Sequence, residues 1–241
     1  MLDVCTSTND VAAQRANIGA PHGYTILSEE QTAGRGRQGR TWVSPTGGIW
    51  LTILLRPPFA PNSLNSLPIV AAIATAKTLN SNPGVRARIR WPNDIFVDDR
   101  KLAGILAETK FKGDETAYSL LGVGINANFH STSLREPHPK ATTLEDLLGS
   151  PVDREAIIAR LLMELENIFN LASSNPNDAM VLLRSLDCSC GKEVRIGFQG
   201  EKISGIMDSY ESFTKVRIRT IDGQYQQVET SSVVCVEYPN F

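Results

Sequence analysis

Apolar and polar positions alternate over 24–30, which predicts a strand, and the apolar run at 49–55 predicts a second, buried by its composition. Residues 62–81 carry an Ala/Ile face at helical spacing, with Pro68 near the first turns, and predict a packing helix. Over 86–91 charged residues alternate with small or apolar ones, as in a strand. That run ends in Trp91-Pro92-Asn93-Asp94, where proline keeps its predecessor extended and the chain turns. Residues 95–97, Asp98-Asp99-Arg100 and 101–108 predict a hairpin, and 118–128 the next strand. Ser7-Thr8-Asn9-Asp10 signals a helix N-terminus, with an Ala-rich helix to about Ala20. Further helices are predicted at 143–148, stopped by Gly149, at 153–171 and at 177–187. After Cys188 the pattern changes to five short strands with turns at Gly200 and Asp222-Gly223. The expected organisation is a larger domain over 1–187 and a small SH3-like β-barrel over 188–241.

Composition changes this picture little, and charge changes it more. Hydrophobic residues make up 41% and charged residues 21%, as in an ordinary globular protein. Apolar runs such as 49–55 and 69–76 are too short to span a bilayer. The start, Met1-Leu2-Asp3-Val4-Cys5, lacks the charged and apolar regions of a signal peptide. Four cysteines without framework spacing point to a reducing compartment, and a cytoplasmic location is expected. Cys188-Ser189-Cys190 could seed a metal site, but no Cys/His set stands near it in sequence, and structural thiols are the expectation. The formal net charge is −2, yet residues 31–93 contain no Asp or Glu and carry +8, leaving −10 for the remainder. Such a block, without acidic neighbours in sequence, predicts a site for an external anion.

Within that block stands Gly34-Arg35-Gly36-Arg37-Gln38-Gly39-Arg40-Thr41-Trp42. Glycine permits positive φ and close approach to a ligand, and arginine offers a planar fork of donors suited to phosphate or carboxylate. The run predicts a mobile loop that closes over an anionic ligand. It also fits G-x-G-x-x-G, but an extended segment and a turn follow it instead of a helix, so a dinucleotide fold is rejected. A solvated basic loop is the ordinary alternative; the acid-free neighbourhood weighs against it.

Other candidates follow from their places in the predicted elements. Ser7, Thr8 and Asn9 suit helix capping and equally suit a small polar ligand. Asn93 and Asp94 are presented at a strand end, where an Asx turn is the plain alternative. Gly104, inside a strand, suggests close approach by a ligand. Gly122 and Gly124 on one strand face leave a flat floor, poor for packing and useful beneath a flat substrate.

Several separated runs then coincide. Gly34 to Trp42, Arg90-Trp91-Pro92-Asn93-Asp94, Lys101-Leu102-Ala103-Gly104-Ile105-Leu106-Ala107-Glu108 and Gly122-Val123-Gly124-Ile125-Asn126 resemble the signature runs of biotin protein ligases. Ser7-Thr8-Asn9 and Ala141-Thr142-Thr143-Leu144 match the flanks in the right order, and the resemblance covers the chain from about Ser7 through the C-terminal β-domain. It implies an α+β fold, a mixed and mostly antiparallel sheet with flanking helices of the class II aminoacyl-tRNA synthetase/biotin ligase type. It implies biotin, ATP and Mg²⁺ as ligands. Biotinyl-5′-AMP would form first, and biotin would then pass to one lysine of the biotin carboxyl carrier protein of acetyl-CoA carboxylase.

By the same resemblance, Ser7, Thr8, Asn9, Gln31, Gly34, Arg35, Arg37, Lys101, Gly104 and Leu106 would bind biotin. Arg35, Arg37, Arg40, Trp42, Arg90, Asn93, Asp94 and Asn126 would bind the nucleotide. Lys101, Arg37 and Asp94 would be catalytic, with Asp94 either touching Mg²⁺ or helping the acceptor amine lose its proton. The family usually has lysine where this chain has Arg90, which exchanges a point charge for a wide fork. Some members carry an N-terminal helix-turn-helix domain; here the catalytic core begins almost at Met1, so a monofunctional ligase without nucleic-acid or membrane partners is expected. A lipoate or octanoate ligase of the same fold is the nearest alternative. A single-stranded nucleic-acid binder would need aromatics between Arg86 and Arg90, and none is there.

Overall fold

A computed structural model describes residues 1–57, 64–134, 140–198 and 201–239. In chain order the elements begin with β1 (Leu2–Cys5), α1 (Thr8–Asn17), β2 (Thr25–Gln31), β3 (Ile49–Leu55), α2 (Leu67–Asn80) and β4 (Arg88–Arg90). There follow β5 (Asp94–Val97), β6 (Arg100–Lys112), β7 (Glu115–Ile125), α3 (Leu144–Leu148), α4 (Arg154–Ser174) and α5 (Pro176–Leu186). The last five strands are β8 (Glu193–Phe198), β9 (Glu201–Tyr210), β10 (Lys215–Thr220), β11 (Tyr225–Glu229) and β12 (Val233–Glu237).

The first seven strands form one mixed sheet, ordered β1-β2-β3-β7-β6-β5-β4, in which only β1 and β2 run parallel. Helices cover both faces. α2 lies on one face and is buried almost all round, so its apolar positions exceed the single Ala/Ile face expected of it. Its first two expected residues, 62 and 63, fall outside the described residues, as do the turn at Gly200 and positions 135–139 of the loop after Phe129. α4 and α5 pack behind α2. On the opposite face α1 joins Ile26, Leu54, Tyr118 and Leu120 in a second, smaller cluster.

This double cover explains why all seven residues of β3 are buried. Ile49, Leu51, Ile53 and Leu55 join the α2 core, while Trp50, Thr52 and Leu54 point to the α1 side. Helix ends follow the expected chemistry. The Thr143 and Asp153 side chains accept from the Asp146 and Ala156 N–H groups, and Gly149 closes α3 in the left-handed region at φ 73°.

The last five strands make a separate antiparallel sheet, ordered β11-β10-β9-β8-β12. Irregularities interrupt its register between Arg217 and Ile218 and between Val233 and Cys235. Among the described residues, no helix is long and apolar enough to cross a membrane, and no cluster of three or more His, Cys, Asp or Glu could hold a metal. All four cysteines are free thiols.

Candidate active site

Strand register places the site on the α1 side of the large sheet. One row of directly paired residues runs Trp50, Gly124, Gly104, Asp94, Arg90 across β3, β7, β6, β5 and β4. The next row runs Thr52, Gly122, Leu106. Paired residues share a face, so three glycines form a low floor with a wall at either side. A methyl on Gly124 would come 2.8 Å from Trp42 Nε1, and one on Gly104 3.0 Å from Trp42 Cζ3. The Trp42 indole therefore rests on the floor, edge-on to Trp50 at 6.4 Å between ring centroids. The Gly122 position is overhung by Asn9 instead, 2.8 Å from Oδ1.

Period-two alternation alone would send Lys101 to the sheet face opposite Gly104, three residues away. A bulge corrects this. Pairing shifts between Ile95 and Phe96, so Asp94 opposes Gly104 while Phe96 opposes Lys101. The extra residue lets Leu102 and Ala103 both be buried in the core and returns Lys101 to the site face. Lys101 Nζ then meets Asp94 Oδ1 at 2.7 Å and lies 5.0 Å from the centroid of the Trp42 ring. Its backbone is held by residues 140–142, through Lys101 N to Lys140 O at 2.7 Å and Thr142 N to Lys101 O at 2.9 Å.

A cavity of about 490 Å³ opens above these rows. It is lined by all the predicted site residues except Gly34. Gly34 sits instead at the neck of the 34–42 hairpin, where a methyl would collide with the Trp42 carbonyl and where Gly34 O accepts from Trp42 N at 2.9 Å. That run is a compact hairpin rather than an open loop. Gly36 N donates to Arg40 O at 2.7 Å, and Gln38 and Gly39 turn the chain at φ 57° and 70°.

At one end of the cavity the polar groups are interlocked. Gln31 Oε1 accepts from Thr8 N (2.8 Å) and Thr8 Oγ1 (3.0 Å), and Gln31 Nε2 donates to Ser44 Oγ at 2.8 Å. Asn9 Oδ1 accepts from Thr52 Oγ1 at 2.6 Å, and Asn9 Nδ2 donates to Glu108 Oε2 at 2.5 Å. Ser7 stands at the N-cap of α1, yet its side chain makes no capping bond. It is nonetheless buried and lines the cavity, which favours the ligand-facing role over capping.

The lining is also strongly cationic. Arg35, Arg37, Arg40, Arg90, Lys101 and Lys140 line the cavity against a single carboxylate among the described residues, Asp94. The absence of acids between positions 31 and 93 does not, however, leave every cation there unpaired. Arg35 reaches Asp10 at 2.7 Å and Glu108 at 3.4 Å, Lys77 reaches Glu164 at 2.8 Å, and Arg90 reaches Asp99 at 3.5 Å. The fold returns acids that the sequence kept distant. Burial acts to lower the Arg35 pKa, but the bonds and charges of Asp10 and Glu108 together outweigh it and raise the value.

Among the described residues neither Arg37 nor Arg40 forms an ion pair. Arg37 donates to Val233 O at 2.8 Å and to Asn93 Oδ1 at 3.4 Å, and its pKa is lowered, chiefly by burial. The Arg90 pKa is lowered too, again chiefly by burial, and its guanidinium lies 3.5 Å from the Phe96 ring centroid. A guanidinium titrates far above neutrality, so both are cationic at neutral pH.

At the cavity, the buried Asn126 Oδ1 and Trp42 Nε1 have no hydrogen-bond partner among the described residues. Asn126 spends its amide N–H on Thr142 O at 3.0 Å, leaving the acceptor toward the site. Such orphans are costly unless a ligand satisfies them. The arrangement can thus take a molecule that carries hydrogen-bonding groups, a flat ring and negative charge. Sequence reasoning missed the walls, Trp50, Phe96, Leu134 and Lys140; of these Phe96 and Lys140 stood beside noticed runs, Trp91 to Asp94 and Ala141 to Leu144.

Comparison with known proteins places the chain in a family. Residues 1–126 match the biotin/lipoate A/B protein ligase family. The chain is 36% identical over 166 residues to the bifunctional ligase/repressor BirA of Bacillus spizizenii, covering 68% of this chain and 51% of that protein. It thus spans about half the length of that curated relative. It is 35% identical over 209 residues to the biotin–[acetyl-CoA-carboxylase] ligase of Mycobacterium tuberculosis, covering 83% of this chain and 75% of that one. In fold it resembles the Aquifex aeolicus biotin protein ligase solved with biotin and ATP, with a TM-score of 0.85, 24% identity, and 98% and 97% of the two chains covered. With the family match spanning half the chain and the cavity built from its signature runs, this protein belongs to the biotin/lipoate A/B protein ligase family.

Proposed function

We propose that this chain is an ATP-dependent biotin protein ligase, which forms biotinyl-5′-AMP and passes biotin to a lysine of the biotin carboxyl carrier protein of acetyl-CoA carboxylase. The observation that carries this reading is the make-up of one cavity, which brings together hydroxyl and amide groups, a glycine floor and six cations against one carboxylate among the described residues. In the first step a biotin carboxylate oxygen bonds to the α-phosphorus of ATP, the bond to the β-phosphoryl bridge breaks, and pyrophosphate leaves. In the second, the carrier lysine amine bonds to the acyl carbon, AMP departs, and the nitrogen loses a proton. Both steps concentrate negative charge, so fixed cations and positioning supply the catalysis.

In this scheme Ser7, Thr8 and Gln31 face the ureido group, and Lys101, held by Asp94, meets the reacting carboxylate and α-phosphoryl oxygens. Arg35, Arg37 and Arg40 neutralise phosphate charge. Trp42 and the orphaned Asn126 Oδ1 receive the adenine. Asn93 is held by its bond to Ile105 O (2.7 Å) and contacts the nucleotide beside Arg90. The ureido group also separates biotin from lipoate, since buried hydroxyl and amide groups select a ligand that answers their hydrogen bonds.

Mg²⁺ fits this site as an ion carried on the triphosphate. Asp94 is the one carboxylate in the cavity lining among the described residues, and a magnesium ion commonly binds through one or two carboxylates plus substrate phosphates. When bound, the ion neutralises phosphate charge and orients the leaving pyrophosphate.

The domain division proposed is 1–187 for catalysis and 188–241 for an SH3-like barrel. The five-stranded order and the two register irregularities, which let a small sheet curl, support the latter. A cytoplasmic location accords with the free thiols. The deciding experiment is pyrophosphate release with ATP and Mg²⁺ plus biotin, lipoate or neither. Release with biotin alone is expected; release with lipoate alone overturns the assignment.

A further inference from the structure

The small C-terminal sheet touches the site through two side chains outside the set described above. Where α5 ends, Asp187 pairs in parallel with Ile89 of β4, and Cys188 N donates to Ile89 O at 2.9 Å. The Asp187 carboxylate accepts from Ser189 N (2.9 Å), Cys190 N (2.7 Å) and Tyr210 Oη (2.7 Å), which ties this segment to β9. So fixed, Ser189 is fully buried, and its Oγ accepts from Trp91 N at 2.7 Å. Tyr238, just past β12, donates from Oη to Trp91 O at 2.9 Å. Its ring centroid lies 5.3 Å from the Arg90 guanidinium carbon.

Trp91 is the hinge between β4 and the turn that presents Asn93 and Asp94. Pro92 has no N–H of its own, so the backbone of this turn depends heavily on Trp91. Both polar backbone groups of Trp91 are met from residues about 100 and 150 positions later in the chain. We infer that Ser189 and Tyr238 are positioning residues: together they hold the backbone N–H and C=O of Trp91 and so set Arg90, Asn93 and Asp94 for the nucleotide. The ligand half of this inference rests on the proposed function; the clamp itself does not.

The test uses the full chain with Ser189→Ala, Tyr238→Phe and Tyr238→Leu. Arg217→Met serves as a control, since it breaks a partly exposed pair with Asp208 within the same small sheet. Hydrogen exchange without ligand should rise roughly tenfold over 88–95 in Ser189→Ala, the scale of one lost hydrogen bond, with 49–55 unchanged. The apparent KM for ATP should rise about threefold to tenfold in Tyr238→Phe, and further in Tyr238→Leu, which also removes the ring beside Arg90. Biotin affinity should stay within about twofold in both, and Arg217→Met should move none of these readouts. Unchanged exchange over 88–95 in every clamp variant overturns the inference. So does a joint loss of biotin and ATP affinity with faster exchange through 49–55, because that is general loosening. Faster exchange confined to 88–95 upholds the clamp even if the wild-type chain releases no pyrophosphate with biotin, an outcome that counts against the proposed function instead.

Discussion

Adding one methyl to the glycine floor at Gly124 should separate nucleotide handling from biotin handling. A Cβ there would stand 2.8 Å from Trp42 Nε1, 3.0 Å from Cε2 and 3.3 Å from Cζ2. To regain ordinary contact distances the indole, or any flat ring replacing it, must lift by roughly 0.5 Å. Overfilling a packed contact of this kind costs about 1–3 kcal/mol, which is roughly 5- to 150-fold in the affinity it supports. The indole already rests on Gly124 without ligand, so the folded protein bears part of that cost as well. The φ at Gly124 is not positive, so alanine is tolerated, and replacing a strand glycine gains about 0.5–1 kcal/mol.

Gly122→Ala is the counterpart. Its methyl would meet Asn9 Oδ1 at 2.8 Å and Leu106 O at 3.3 Å. Asn9 is buried and tied to Thr52 and Glu108, so it cannot swing aside, and the penalty falls on the end assigned to biotin. The assay pairs calorimetric biotin titration with pyrophosphate release against ATP concentration. Gly124→Ala should raise the apparent KM for ATP with biotin binding near wild type, and Gly122→Ala should weaken biotin binding first. An unchanged ATP dependence in Gly124→Ala, or one profile shared by both variants, would refute the placement of the two ligands along the floor.

Other outcomes follow from the same geometry. Lys101→Ala should cut biotin-dependent pyrophosphate release roughly 10²- to 10³-fold, the cost of removing one preorganised donor, with a native circular dichroism spectrum; comparable turnover would remove Lys101 from its role. Arg37→Ala loses the bonds to Val233 O and Asn93 Oδ1 and should release the adenylate about tenfold faster, read as labelling of bystander proteins. Tight retention in that variant would contradict a lid function. Burial acts to raise the Asp146 pKa, but the bonds with Ser131 and His130 outweigh it and hold it below the ordinary carboxylate range. A depressed carboxylate contributes stability that is present above its unfolded pKa and lost as pH falls through the folded value. In urea unfolding, the stability difference between wild type and Asp146→Asn should therefore shrink steadily below about pH 4; a difference constant down to pH 2 would dismiss that contribution.

Much of this protein was written in short windows of its chain. The apolar run of β3, the hairpin at Asp98-Asp99, the helices expected over 143–148 and 153–171 and the stop at Gly149 each depend on residues within a turn or two, so periodicity and end signals suffice to locate them. The residue types at Gly34 to Trp42, Trp91 to Asp94 and Lys101 to Leu106 likewise carried the chemistry, and nearly all of them meet in one cavity. What they touch was not legible. A one-residue bulge turned Lys101 to the site face, against the alternation of its own strand. Asp10 and Glu108 came to Arg35 from outside the acid-free block, and Ser189 and Tyr238 came to Trp91 from the far end of the chain. Local sequence fixes which groups are available and what backbone they prefer. Which group faces which depends on strand register and on the docking of one sheet against another, and those are settled by contacts between residues that lie far apart along the chain.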